Sequence, residues 1–289
     1  MTRVSKIVWL VAAIQLAFGL AALVLGPTRA NAGFFTSFLP YQSSVFLVVY
    51  AVLGYVLSLA CWGYFEQGEP LRWGWLLITS GSGCWVIGLI VPNFVSGFAS
   101  ANIWPDPASG SAHTAALREM GSAFGGPLSM VLMAAGLLVV VGLYKKVGLL
   151  RRPSGSDWIP LCLVGLFIAG QLVEFARWNA TLREPATILK WISWTTAPLL
   201  GLLLLEALLL QRAIVNSGGG LIARCWRAYA AAIFLTSVGN AGTWAVNSGL
   251  LNWSYHYFNT FIWVLAAIAF ALGPAHQIEA IMEARRARY

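Results

Sequence analysis

At 289 residues the chain is long enough for one large domain or two small ones, but 59% of its residues are hydrophobic and only 10% charged, too few polar groups to cover a water-facing surface of that size. The net charge of +8 arises from 18 Lys and Arg against 10 Asp and Glu, and the cations flank apolar runs, as topogenic charge beside lipid head groups does. Composition therefore excludes water as the main solvent and gives no support to a nucleic-acid partner.

A bilayer core about 30 Å thick takes roughly 20 apolar residues per helical crossing, and lipid offers no partner to unpaired backbone groups. Runs this long imply helices. In chain order, crossings are expected over 7–26, 45–62, 75–91, 127–144, 158–175, 191–210, 229–246 and 258–276. The expected fold is an all-α integral membrane protein, a polytopic bundle of eight transmembrane helices in one domain spanning 1–289.

The first run follows Arg3 and Lys6 and leads to Ala30-Asn31-Ala32, so it partly matches a secretory signal. Its length is enough to span, which favours retention as the first crossing. Between the third and fourth crossings, residues 92–126 form the longest expected extracytoplasmic loop, rich in Gly, Ser, Ala and Pro.

Orientation follows from the basic residues, which short loops retain on the cytoplasmic side. With eight crossings, Arg3, Lys6, Arg72, Lys145, Lys146, Arg151, Arg152, Arg212, Arg224, Arg227, Arg285, Arg286 and Arg288 share one side, thirteen of the eighteen. Arg29, Arg118, Arg177, Arg183 and Lys190 fall on the other. Both termini are thus expected in the cytoplasm, with the protein multi-pass in the inner membrane. Lys145, Lys146, Arg151 and Arg152 fall in one inner loop, where each would gain about 1 kcal/mol from anionic lipid head groups.

Reactive motifs are missing from the sequence. It holds neither a G-x-S-x-G elbow nor an H-E-x-x-H helix, and Gly218-Gly219-Gly220 lacks the Lys and Ser/Thr of a phosphate-cradling loop. Cys61, Cys84, Cys162 and Cys225 fall within or at the inner ends of crossings, without C-x-x-C spacing. No catalytic residue and no metal site is assigned, and the balance leans away from an enzyme.

Polar groups at membrane depth carry the functional expectation, because an ionisable group there is costly unless paired or hydrated. Gln171, Glu174 and Arg177 are spaced by three, so they share one broad face near the outer end of the fifth crossing. Trp194 of the sixth crossing, Asn240 and Trp244 of the seventh and His256 beside the eighth fall at similar depth. These seven residues define an expected outward-facing polar and aromatic pocket in the last four helices. The same groups would equally serve as interlocks that hydrogen-bond a facing helix.

Glu206, amid leucines in the inner half of the sixth crossing, is an intramembrane carboxylate expected to face protein. It either holds a proton or reaches Arg212, Arg224 or Gln15. His256 and His276 are twenty residues apart on one expected helix, about 30 Å, and so cannot ligate one haem iron together; a haem or pigment on either histidine alone stays open, and the cofactor is unknown. Small residues at Ser80, Cys84 and Gly88, and at Ser237, Ala241 and Ala245, mark expected helix contacts.

Three functional readings follow. One is an accessory or scaffolding subunit of a larger membrane assembly, with other membrane subunits and the bilayer as partners. The alternative is a protein that binds or transports a small solute through the outward pocket. A third is a membrane sensor acting through a separate partner.

Overall fold

The computed structural model describes residues 4–25, 39–100, 124–150, 195–216, 220–247, 249–251 and 255–287, with scattered helical residues between 155 and 173. The described residues form helices and their connections. In chain order these are α1 (Val4–Leu25), α2 (Leu39–Gly63), α3 (Pro70–Ser100), a π-helical turn Phe124–Leu128 running into α4 (Ser129–Lys146), α5 (Thr196–Asn216), α6 (Gly220–Asn247) and α7 (Tyr255–Arg286). Among the described residues, five segments are long and apolar enough to cross a membrane: Val45–Gly63, Pro70–Ile90, Gly125–Lys146, Gly220–Thr243 and Phe261–Arg286. A shorter apolar helix, Leu161–Gly170, lies where the fifth crossing is expected.

Several helices outrun their expected limits, because hydropathy marks the apolar stretch whereas backbone hydrogen bonding continues into polar sequence. The third helix continues to Ser100, so the first nine residues of the expected 92–126 loop are helical. Pro198 sits in the first turn of α5, where the missing N–H would have no intrahelical partner in any case. That helix runs on to Asn216. The last helix extends ten residues past His276, the expected end of the eighth crossing, to Arg286.

Helix neighbours in sequence are neighbours in space: α2 packs on α3, and α4 bridges α3 and α5. In turn α6 joins α5 to α7, and α7 returns to α2. Six of the described helices therefore close a ring. The first helix stands outside it against α7, with a lesser contact to α2. It buries Val8 and Ala12 toward α7 while Leu10 is 71% exposed.

With lipid tails as apolar as leucine, helices gain little by hiding apolar surface from one another, and close backbone approach supplies the packing. Between α3 and α4 that approach is made by glycines one heptad apart. A Cβ built on Gly81 would lie 2.6 Å from the Ser129 carbonyl oxygen, and one on Gly136 2.7 Å from that of Gly74. At the far end, a Cβ on Gly125 would meet the Gly88 Cα at 2.9 Å. These pairs run antiparallel. Of the stripe expected on Ser80, Cys84 and Gly88, only Gly88 joins this contact, and Ser80 is exposed; the third helix presents Gly74, Gly81 and Gly88 instead. Ser237 is buried, and its hydroxyl donates to the Ile233 carbonyl at 2.9 Å.

One end of the bundle collects the basic residues. There Arg285 Nη2 donates to the Tyr64 carbonyl at 3.0 Å, linking the end of α7 to the α2–α3 connection. Glu279 of α7 accepts two hydrogen bonds from Ser5 of α1. Rings of Trp75 and Trp226, near the starts of α3 and α6, stand 6.2 Å apart. Every lysine and arginine among the described residues lies toward this basic end, including exposed Lys145 and Lys146. Arg151 and Arg152 are outside the described residues.

Candidate functional site

Inside the ring, toward the end opposite the basic residues, lies a cavity of about 150 Å³. All of α3 to α7 contribute to its wall. Its floor is aromatic: the Tyr229 and Phe270 rings meet edge to face at 5.5 Å and 87°, and Trp85 meets Phe270 at 5.3 Å and 79°. Such geometry sets the positive edge of one ring against the negative face of the next. Tyr229 is itself held in place, since a Cβ on Gly273 would fall 2.5 Å from its ring. Only glycine at 273 lets α7 come this close.

Met130 and Met133 form a pliable side of the wall, since thioether chains adapt to irregular shapes. Toward the end opposite the basic residues the lining turns polar, with Ser129, Thr196, Thr236 and Asn240 beside Gly125 and Gly126. The described lining holds no charged side chain. Asn240 Nδ2 donates to the Thr236 carbonyl one turn back at 3.0 Å, which fixes the amide and leaves Oδ1 as an uncommitted acceptor among the described residues. Ser82, Ser237 and Thr243 likewise bond their own helices four residues back, a common way for helical polar side chains to satisfy themselves.

Of the residues expected to form the pocket, Asn240 lines this cavity. Gln171, Glu174, Arg177 and Trp194 are outside the described residues. Trp244 and His256 are placed by backbone alone, in the last turns of α6 and the first turn of α7. The cavity also draws on the third and fourth helices, through Ile78, Trp85, Met130 and Met133, which the sequence reading left out. A signal for part of it was present: Tyr229, Ile233, Thr236 and Asn240 fall at helical spacing on one face of α6.

His276 and Glu279 belong to a different place. The histidine Nδ1 stands 3.4 Å from Glu279 Oε2 near the basic end, while His256 opens the same helix. The twenty-residue separation on one continuous helix keeps the two imidazoles from sharing an iron. Glu206 is 2% exposed and hydrogen-bonds neither to Arg212, to Arg224 nor to Gln15. Gln15 sits on α1, which packs on α7 and α2 rather than α5. Among the described residues, no group of three His, Cys, Asp or Glu is placed to hold a metal ion.

No family model matches the sequence, and neither the curated proteins nor the solved structures yield a match.

Proposed function

We propose that the protein is an eight-helix membrane protein, both termini in the cytoplasm, that binds a small, neutral, largely apolar molecule in the ring cavity from the extracytoplasmic side. The observation that carries this reading is Asn240. It lines the cavity and spends its amide nitrogen on its own helix, which leaves its oxygen without a hydrogen bond among the described residues. An aromatic floor, adaptable methionine walls and a few polar groups at the far end make up the lining mix of small-molecule sites. The described lining favours a neutral ligand, because a charged one at membrane depth would need a counter-charge there.

The topology has its own support. An even number of crossings brings both chain ends to one side, and the contact between Ser5 and Glu279 joins the start of α1 to the end of α7. Retention of positive charge in the cytoplasm assigns that side. The cavity, toward the opposite end, then lies on the outer side of an inner membrane.

Ligand binding is common to transport and sensing, so this reading precedes the choice between them. The subunit reading rests on apolar faces such as Ile7, Leu10 and Ile14 of α1, each at least half exposed; lipid covers such a face as well as a partner chain does. The test is a thermal-shift screen of the purified protein against neutral one- and two-ring aromatic molecules. Stabilisation by a hit, lost in Ala232→Phe and in Ala266→Phe, which fill the cavity from two different helices, supports the proposal. Equal stabilisation of wild type and both variants contradicts it.

A further inference from the structure

Glu206 raises a question that the cavity does not answer. It lies in α5 with Leu203, Leu204, Ala207 and Leu210 around it in sequence, all buried. Neither of its carboxyl oxygens has a hydrogen-bond partner among the described residues.

Among the described residues, α5 packs against α4, the π-helical turn that precedes it, and α6; the turn carries no titratable side chain. Their charged groups are Lys145 and Lys146 on α4 and Arg224 and Arg227 on α6, and their other titratable groups are Tyr144, Cys225 and Tyr229. None of them donates to Glu206. On its own helix, Arg212 is six residues on, a rotation that turns it about 120° away.

A carboxylate in such a place would bear its desolvation cost without a donor among the described residues to offset it. Taking up one proton removes the charge. A metal cation offers no equivalent relief, since it needs several oxygen ligands to replace its water, and no group of three suitable side chains is present among the described residues. A leucine would pack at this position without the cost of a polar group, so the carboxyl is an expense that packing does not explain.

We infer that Glu206 is a proton-binding site inside the membrane: its carboxyl carries a proton in the folded protein at neutral pH and takes no other ion. The site lies one turn from the cavity toward the basic end, because Leu203 lines the cavity and Glu206 follows it by about 4.5 Å along the helix axis.

The test is an infrared difference spectrum between the full-length protein in lipid nanodiscs and Glu206→Gln at neutral pH. The expected result is loss, in the variant, of one carbonyl stretch of an un-ionised carboxylic acid. Loss of the paired stretches of an ionised carboxylate instead overturns the inference. Should the variant fail to fold, a lipid-soluble carbodiimide puts the same question to the wild-type protein. It adds across an un-ionised carboxyl: the acid proton moves to a carbodiimide nitrogen, the carboxyl oxygen bonds to the central carbon, one C=N π bond is consumed and nothing leaves. Peptide mapping that finds one such adduct on Glu206 supports the site, and an unmodified Glu206 overturns it.

Discussion

Glu279 Oε1 accepts both the backbone N–H and the hydroxyl of Ser5, each at 2.8 Å, across 274 residues of chain. Ser5 lies in the first turn of α1, where amide hydrogens have no intrahelical acceptor. Glu279 therefore acts as a cap supplied by the last helix to the first, and it places negative charge at the positive end of the α1 dipole. Its second oxygen faces His276 at 3.4 Å.

Truncating this contact should loosen α1 more than the rest of the molecule, because α1 lies outside the ring. Ser5→Ala removes one of the two bonds and should cost about 1–2 kcal/mol; Glu279→Ala removes both and should cost more. Thermal unfolding in detergent ranks the two. Protease sensitivity of α1, measured alongside, should rise in the same order.

Glycine placement in α4 allows an internal comparison. Gly136→Val drives a side chain into the Gly74 backbone, where even a Cβ would stand 2.7 Å from a carbonyl oxygen. Forcing α3 and α4 apart should cost about 1–3 kcal/mol. Gly142, on the same helix, has nothing within 4 Å of its built Cβ. Gly142→Ala should therefore leave stability unchanged or raise it by about 0.5–1 kcal/mol, the usual helix preference for alanine. Equal effects from the two substitutions would contradict the packing described for α3 and α4.

For the cavity, Asn240→Ala should weaken a bound ligand that hydrogen-bonds the amide by about tenfold, equivalent to ~1.4 kcal/mol. Folding should survive, since the bond lost within the protein is the back-bond to Thr236 in the same helix. Titration of the thermal shift with a screening hit compares the two proteins. An unchanged midpoint for such a ligand would remove Asn240 from the site.

Helices were legible in the sequence wherever apolar length alone decides, and their ends were not. The start of α6 at Gly220 precedes its apolar core by nine residues that include Arg224 and Arg227, and a hydropathy reading stops short of such cations. Asn240 stood out because a carboxamide amid apolar residues is conspicuous. Met130, Met133, Trp85 and Phe270 did not, because an apolar wall residue and a lipid-facing residue look alike in an apolar chain. Nor was the Ser5–Glu279 contact readable: it depends on α7 continuing past the expected end of the eighth crossing, and on two ends meeting that no local pattern connects.

The proposed topology puts the basic end in the cytoplasm and the opposite end, where the cavity lies, on the outer side. Single cysteines at Lys146, Leu250 and Ala287, in a background with Cys61, Cys84, Cys162 and Cys225 replaced, test it with a membrane-impermeant maleimide on intact cells. The account predicts labelling of the Leu250→Cys protein from outside, with the Lys146→Cys and Ala287→Cys proteins labelled only after the membrane is opened. Labelling of either of those two in intact cells, with the Leu250→Cys protein protected, would contradict it.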